Sequence, residues 1–254
     1  MKKITVLIIL AFAMLECMAQ PKVIAHRGYW KTENSAQNSL TSLRKAAEAG
    51  CYGSEFDVIL TADDELVVNH DDKFKGVVIS EATAMVATAI VLSNGEHLPT
   101  IDQYFSEALK YPDLRLILEI KPLKTMEREM KAVELTIAKL REYRLLDRTD
   151  IISFSLDICK EVIRLLPDTK VYYLNGDLSP QELKDLNFAG ADYNGLVLKF
   201  HEEWIKECHD LGLEVNVWTI DNKPDMRYFI KQGVDYITTN YPEILMKTVL
   251  TSGQ

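Results

Sequence analysis

The sequence contains few cysteines, one long apolar run and no excess of positive charge. Four of its 254 residues are Cys, and Cys51, Cys159 and Cys208 are too widely spaced for a CxxC metal or redox site. They are expected to be buried thiols. Lys and Arg number 29 against 38 Asp and Glu, which gives a formal net charge of −9. Nucleic-acid binding normally requires a basic face, so this composition argues against a nucleic-acid partner.

The apolar run stands at the amino terminus and is typical of an export signal. Lys2 and Lys3 precede the run Ile4–Met14, and Cys17-Met18-Ala19 then places small residues at the positions that a signal peptidase reads. We expect residues 1–19 to be a signal peptide, with cleavage near Ala19 and export to the periplasm or the medium. An uncleaved anchor is the alternative, but the run is shorter than the about 20 residues of a bilayer span. No second run follows, so no stable membrane span is expected.

The rest of the chain, residues 20–254, alternates short apolar runs with amphipathic segments and contains no linker. This alternation predicts one α/β domain, a (β/α)8 TIM barrel, with an open doubly wound sheet as the alternative on periodicity alone. A further strand-like run, Leu66–Asn69, begins a small insertion after the second strand, at about 66–99. The eight runs that we interpret as barrel strands are Val23–Ala25, Glu55–Leu60, Leu114–Ile120, Ile151–Phe154, Val171–Leu174, Gly195–Leu198, Leu213–Ile220 and Tyr236–Thr239.

Three carboxylates interrupt these apolar runs. Glu55 and Asp57 are two residues apart, so on a strand both side chains point to the same face. Glu119 would join them from the next barrel strand. Burying charged groups costs several kcal/mol each unless a partner or a metal compensates. Three converging carboxylates form a hard oxygen site that suits Ca²⁺ or Mg²⁺, so the sequence predicts one divalent cation.

Two histidines and two cationic side chains lie at comparable strand ends. His26 and His70 are candidates for an acid–base pair, because histidine changes charge near neutral pH. Arg27 and Lys121 are candidate phosphate ligands. Two histidines, a divalent metal and two cationic groups together favour phosphoryl transfer to an oxygen nucleophile.

The ordered set of motifs resembles the glycerophosphodiester phosphodiesterases. The resemblance runs from Val23 to Pro242 and implies a (β/α)8 barrel that hydrolyses a small-molecule glycerophosphodiester to an alcohol and sn-glycerol 3-phosphate. The motifs that carry it are His26-Arg27-Gly28, Glu33-Asn34-Ser35, Glu55-Phe56-Asp57, His70-Asp71, Leu98-Pro99-Thr100-Ile101, Glu119-Ile120-Lys121 and Trp218-Thr219.

The resemblance also implies a role for each residue. The cation would be held by Glu55, Asp57 and Glu119, with His26 and His70 as catalytic acid and base. The phosphate would be held by Arg27 and Lys121, and the glycerol-like alcohol would pack on Trp218. Beyond these ligands, Glu33 would orient a catalytic His or Arg, with Asn34 beside it.

The sequence departs from the family's pattern in three places, and the mildest is Ser35 in place of the usual Thr. The segment after His70 lacks the usual Leu-x-Arg-Thr-Thr-like run, and Asp221 and Asn240 stand where Asn and Asp respectively are common. Two alternative functions stay open at this point. One is a phospholipase acting on intact lipid, with an apolar rim in the insertion formed by Met85, Val86, Ile90, Val91 and Leu92. The other is a non-catalytic protein that binds a phosphorylated polyol.

Overall fold

The computed structural model describes residues 20–252, so the predicted signal peptide lies outside the described residues. The strands are β1 Lys22–Ala25, β2 Gly53–Leu60, β3 Leu66–Val68, β4 Lys73–Phe74, β5 Val77–Val78, β6 Arg115–Ile120, β7 Thr149–Ser153, β8 Val171–Tyr173, β9 Gly190–Asn194, β10 Glu214–Trp218 and β11 Tyr236–Thr239. The α-helices are α1 Leu40–Glu48, α2 Ala84–Thr88, α3 Ile101–Ala108, α4 Met126–Glu142, α5 Leu156–Leu165, α6 Pro180–Asp185, α7 Gly195–Phe200, α8 Glu203–Asp210, α9 Lys223–Gln232 and α10 Pro242–Ser252. No helix among these residues is long and apolar enough to cross a bilayer.

Eight parallel strands close into a barrel. The order around the ring is β1-β2-β6-β7-β8-β9-β10-β11, and β1 closes the ring by pairing with both β2 and β11. Helices lie between most consecutive strands, so the predicted (β/α)8 TIM barrel is confirmed. All eight carboxyl ends therefore meet at one rim, and side chains that end different strands come together there.

One predicted strand is wrong. The apolar run Gly195–Leu198 forms most of α7, and the barrel strand is β9, which ends just before it. The Asn194 side chain accepts a hydrogen bond from the Leu196 backbone N–H at 2.9 Å and so begins the helix. A short apolar run cannot be assigned to a strand or a helix by periodicity alone. The true strand, with Gly, Asp and Asn, has a low β-propensity.

The insertion begins with a strand that runs against the barrel direction. Strand β3 pairs antiparallel with β2, with Val58 opposite Val68, and the short hairpin β4–β5, a 3₁₀ helix and α2 follow. Two of the five apolar residues considered for a lipid-facing rim are buried in the insertion, and three are exposed. The buried pair is Ile90 and Leu92, and the exposed residues are Met85, Val86 and Val91. The insertion has its own apolar cluster, formed by Ala36, Ile59, Val67, Ile79, Ala87, Ile90, Leu92 and Leu98.

Polar side chains fill the amino-terminal end of the barrel. The Glu214 carboxylate accepts hydrogen bonds from Lys170 Nζ at 2.7 and 2.8 Å, from the Tyr172 hydroxyl, and from the Tyr236 hydroxyl at 3.2 Å. These donors offset the free-energy cost of removing the Glu214 carboxylate from water. These polar contacts close the amino-terminal end of the barrel, and the candidate functional groups lie at the opposite rim.

Strand β9 approaches β10 too closely for any side chain at Gly190. A Cβ atom there would lie 1.8 Å from the Glu214 carbonyl oxygen. We expect Gly190→Ala to lower the free energy of unfolding by about 3 kcal/mol or more, because a backbone atom cannot move aside as a side chain can. Gly95→Ala is the control: its Cβ would meet nothing within 4 Å, and only its positive φ costs about 1–2 kcal/mol. Urea denaturation measures both, and equal losses would contradict the close approach.

Asp192 predicts a pH dependence of stability. Its carboxylate lies inside the barrel, where it accepts a hydrogen bond from Asn216 Nδ2 at 2.7 Å, and burial raises the pKa of Asp192 to about 7. The unfolded pKa is about 3.9, so the folded state binds the proton more tightly and stability falls as pH rises towards 7. We expect Asp192→Asn to become more stable relative to wild type between pH 5 and pH 8. Denaturation of both proteins across this pH range measures the difference between their free energies of unfolding. A difference that stays constant with pH would contradict the raised pKa of Asp192.

Candidate active site

Three carboxylates converge at the rim of β2 and β6. The two strands pair in parallel with Asp57 opposite Glu119, and Glu55 lies two residues before Asp57 on the same face. All three side chains are buried, and each offers a carboxylate oxygen within 4.8 Å of the others. The convergence expected from the spacing is therefore present.

The carboxylates differ in how their charges are compensated. Burial raises the pKa of Glu55 well above its ordinary value, and the negative charges of Asp57 and Glu119 add to this effect. Burial, and then the charge of Asp57, raise the pKa of Glu119 to about 8. Burial also opposes ionisation of Asp57, but the charges of Lys121, His70 and Arg27 and the Asn38 hydrogen bond together outweigh it, so the pKa of Asp57 lies below its usual range. The neighbouring positive charges and hydrogen-bond donors therefore do not fully offset the negative charge that the triad carries when all three carboxylates are ionised.

The residues present fit a divalent cation. Lys121 Nζ lies 2.7 Å from Glu119 Oε1 and 3.4 Å from Asp57 Oδ1. The shorter contact lacks hydrogen-bond geometry, so Glu119 Oε1 is a buried acceptor with no hydrogen-bond partner among the described residues. Asn38 Nδ2 donates to Asp57 Oδ2 at 2.8 Å and holds that carboxylate in place. Three buried carboxylates whose oxygens converge form a donor set for a hard cation.

His26 follows β1 and lies beside the triad. Its Nε2 is 4.0 Å from Glu55 Oε2, and its Nδ1 is 2.9 Å from Asn240 Oδ1. Burial lowers the pKa of His26 to about 4, and the nearby Arg27 charge contributes to the shift. The imidazole is therefore neutral at physiological pH and able to accept a proton.

His70 follows β3, so the antiparallel strand of the insertion brings it to the same rim. Its Nδ1 lies 2.6 Å from Asp71 Oδ1, and its side chain is 33% exposed. Burial lowers the pKa of His70, while the Asp57 charge opposes the shift. The two histidines thus have different partners: an amide for His26 and a carboxylate for His70.

The His-Arg-Gly sequence forms a tight turn around Glu55. Arg27 has a φ of 55°, and its backbone N–H donates to Glu55 Oε2 at 2.7 Å. At Gly28, with a φ of 72°, a Cβ would lie 2.4 Å from Ser42 Oγ, so this position excludes a side chain. Arg27 Nη1 donates to Gln37 Oε1 at 2.7 Å, and its buried Nε has no hydrogen-bond partner among the described residues. A buried donor without a partner is suited to an anion.

These groups open into one cavity at the rim. The wall next to β1, β2, β6 and the insertion is charged and carries His26, Arg27, Glu55, His70 and Glu119, while Asp192 lies across the cavity on β9. The other wall is largely apolar, and the residues that form it are Ile152, Phe154, Leu174, Trp218, Thr219 and Thr238.

Trp218 is fixed within the apolar wall. Its Nε1 donates to the Asp192 backbone carbonyl at 2.9 Å, and its ring packs edge-on against Phe154 with centroids 5.6 Å apart. The predicted site residue Trp218 therefore lines the cavity. Lys121, in contrast, is bound to the carboxylates.

Glu33 and Asn34 do not reach the cavity. Both are exposed, and neither side chain hydrogen-bonds to a site residue among the described residues. The orienting contacts come from the next turn of chain, where Gln37 binds Arg27 and Asn38 binds Asp57. Glu33 and Asn34 do not make the predicted contacts because the chain turns between Asn34 and Asn38, both of which have positive φ.

The sequence analysis missed Asp192 and Phe154. Asp192 was overlooked because the sixth strand was placed on the run that follows it. A charged residue inside a buried strand, the feature that identified Glu55 and Glu119, would have revealed Asp192 had the strand been placed correctly. Phe154 ends a predicted strand, but an aromatic residue there gives no sign of facing a cavity.

Comparison with known proteins identifies the relatives of this chain. Residues 26–244 match the model of the glycerophosphoryl diester phosphodiesterase family. A glycerophosphodiester phosphodiesterase of Caldanaerobacter subterraneus subsp. tengcongensis is 29% identical over 245 residues, which cover 91% of this chain and 98% of the relative.

Solved structures agree with this assignment. The crystal structure of a glycerophosphodiester phosphodiesterase from Parabacteroides distasonis is 51% identical with a TM-score of 0.91, over 92% of this chain and 99% of that one. An Oleispira antarctica phosphodiesterase, in complex with the product sn-glycerol-3-phosphate, shares the fold with a TM-score of 0.78 and 22% identity, over 91% and 97% of the two chains. A family match over most of the chain, together with a half-identical relative of almost the same length, shows that this chain belongs to the glycerophosphodiester phosphodiesterase family and is a phosphoric diester hydrolase.

Proposed function

We propose that the chain hydrolyses glycerophosphodiesters to an alcohol and sn-glycerol 3-phosphate in a reaction that needs one divalent cation and two histidines. The observation that carries the proposal is that Glu55 and Glu119 line one cavity with His26 and His70, and that buried Asp57 offers a carboxylate oxygen within 4.8 Å of both. The sn-glycerol-3-phosphate in the structure of the Oleispira antarctica phosphodiesterase supports the choice of product. The predicted export signal would place this activity outside the cytoplasm.

In this proposal, Glu55, Asp57 and Glu119 hold Ca²⁺ or Mg²⁺. When bound, the cation stabilises negative charge on the phosphoryl oxygens as a Lewis acid. Lys121 keeps Asp57 ionised through its charge, and Asn38 fixes that carboxylate by a hydrogen bond. The convergence of three buried carboxylates and the raised pKa values of Glu55 and Glu119, to which their mutual repulsion contributes, both support a cation here.

His26 and His70 move the protons. His26 is neutral, so it accepts the proton of the attacking hydroxyl as the new P–O bond forms. His70 donates a proton to the leaving alcohol oxygen as the old P–O bond breaks, and the Asp71 carboxylate stabilises its charged form. If the attacking hydroxyl belongs to the substrate, a cyclic phosphate results. Water then opens it with the two roles reversed, which restores both histidines.

The remaining groups bind the substrate. Arg27 offers a buried, unpartnered Nε to the phosphate, and a guanidinium binds phosphate oxygens in pairs. Lys121 contributes its charge from the side of the carboxylates. Trp218 and Phe154 give the carbon atoms of the glycerol an apolar wall to pack against.

Metal removal tests the cation site. We expect excess EDTA to abolish hydrolysis of glycerophosphocholine, and Mg²⁺ or Ca²⁺ to restore it, because the triad alone leaves its negative charge uncompensated. The cation should also raise the melting temperature of wild type and not of Glu119→Gln, since a ligand that binds only the folded state stabilises it. Glu134→Gln, a change at an exposed carboxylate, is the matched control. Undiminished turnover in excess chelator would contradict the proposal.

Substitution of each histidine tests the proton transfers. We expect His26→Ala and His70→Ala to lower kcat by about 10²–10⁴-fold, the range attributed to general acid–base catalysis. Neither change should alter the thermal shift produced by the cation. His97→Ala is the control, because His97 is exposed and lies outside the cavity. Steady-state kinetics with glycerophosphocholine measure the effect, and a loss below tenfold in either variant would argue against its histidine as a catalytic group.

A further inference from the structure

Asn240 lies directly after β11 and makes three side-chain contacts that the proposed mechanism does not use. Its Oδ1 accepts a hydrogen bond from Trp30 Nε1 at 2.8 Å and lies 2.9 Å from His26 Nδ1. Its Nδ2 donates to Asp221 Oδ2 at 2.7 Å. The amide is thus held between an indole, an imidazole and a carboxylate.

Two of these neighbours determine which way the amide faces. An indole N–H only donates, so the Asn240 atom beside Trp30 must be the oxygen. A carboxylate only accepts, so the atom beside Asp221 must be the nitrogen. The Asn240 side chain therefore has one orientation that satisfies both neighbours, and this assignment does not depend on His26.

The orientation of Asn240 in turn determines the tautomer of His26. Because Asn240 Oδ1 only accepts, the His26 nitrogen that faces it, Nδ1, must carry the proton. In a neutral imidazole the other nitrogen, Nε2, is then unprotonated. That nitrogen lies towards Glu55 and the cavity, at 4.0 Å from Glu55 Oε2.

Asp221 is itself rigidly held. Its Oδ1 accepts from the Asn240 backbone N–H at 2.8 Å and from the Thr239 hydroxyl at 3.1 Å, while its Oδ2 accepts from the Asn240 amide. The carboxylate therefore cannot rotate away from Asn240 without losing several hydrogen bonds. Asp221 makes no hydrogen bond to His26 among the described residues, so it acts on the imidazole through Asn240.

We propose that Trp30, Asn240 and Asp221 are positioning residues that select the His26 tautomer with Nε2 free to accept a proton. This inference rests on the proposed function of His26 as the proton acceptor. It also accounts for Asp221 and Asn240, which stand where Asn and Asp respectively are common in the family's pattern. Because the side chains of residues 221 and 240 contact each other directly, exchanging them keeps one acid–amide pair. Here the neutral member faces His26, so the tautomer is set without a charge beside the imidazole.

Histidine NMR on the Mg²⁺-saturated full chain tests the tautomer directly. With ¹⁵N-labelled histidine at pH 8, and His26 assigned from His26→Ala, we expect wild type to show a protonated Nδ1 and an unprotonated Nε2. Asn240→Leu removes the acceptor while keeping the size of the side chain, so the His26 signals should shift towards a mixture of tautomers. Unchanged His26 signals in Asn240→Leu would overturn the proposal.

Kinetics separate positioning from a merely structural role. We expect Asn240→Leu to lower kcat by about tenfold or more, because loss of tautomer control impairs a histidine base. KM and the thermal shift by Mg²⁺ should stay within about twofold of wild type, since the substrate and cation ligands are intact. Asn240→Asp alone places two carboxylates together and should also lower kcat. The double variant Asp221→Asn/Asn240→Asp should recover most of that loss, because it restores one acid–amide pair.

The outcomes distinguish this inference from the proposed function. If His26→Ala retains full activity, the proposed function of His26 fails, while the tautomer of His26 in wild type and in Asn240→Leu still reports whether Asn240 controls it. If His26→Ala is inactive and Asn240→Leu keeps both full kcat and wild-type NMR signals, the positioning role fails alone. A double variant no more active than Asn240→Asp would also count against the acid–amide pair.

Discussion

The site depends on forcing three carboxylates together at one end of the barrel. The parallel register of β2 and β6 puts Asp57 opposite Glu119, and the two-residue period of the strand adds Glu55. Such an arrangement is electrostatically unfavourable, and the neighbouring contacts can be understood as compensation. Lys121 lies between Asp57 and Glu119, Asn38 binds Asp57, and the turn at Arg27 aims a backbone N–H at Glu55. A divalent cation bound here would complete this compensation, so the barrel geometry and the proposed metal dependence would follow from one constraint.

The two histidines show how similar side chains acquire different properties from their partners. His26 ends a buried barrel strand and faces a neutral amide, and burial keeps its imidazole uncharged. His70 lies on the antiparallel edge of the insertion, a third exposed and against the Asp71 carboxylate. In the proposed mechanism, His26 from the barrel accepts a proton and His70 from the insertion donates one.

Much of the site was predictable from the sequence because strand geometry is regular. The spacing of Glu55 and Asp57 gave their common face, and the order of strands brought Glu119 beside them. What could not be predicted depended on loops and on close backbone approach. The chain turns between residues 33 and 38, so Gln37 and Asn38, rather than Glu33 and Asn34, contact the site residues. No periodic sequence pattern predicts a turn of this kind. Asp192 was missed because β9 contains Gly, Asp and Asn, which strand propensity disfavours, and only the glycine, Gly190, is required by the close approach of β9 to β10.

The apolar cluster of the insertion helps to hold His70 at the rim of the barrel. The cluster includes Ile59 of β2, which lies on the same strand face as Glu55 and Asp57, and Val67 of β3, the strand that precedes His70. The insertion and the barrel core therefore meet along β3, because Leu66 and Val68 pack into the barrel core while Val67 packs into the cluster of the insertion. A substitution in either cluster would be transmitted through this one strand to the position of the His70 imidazole.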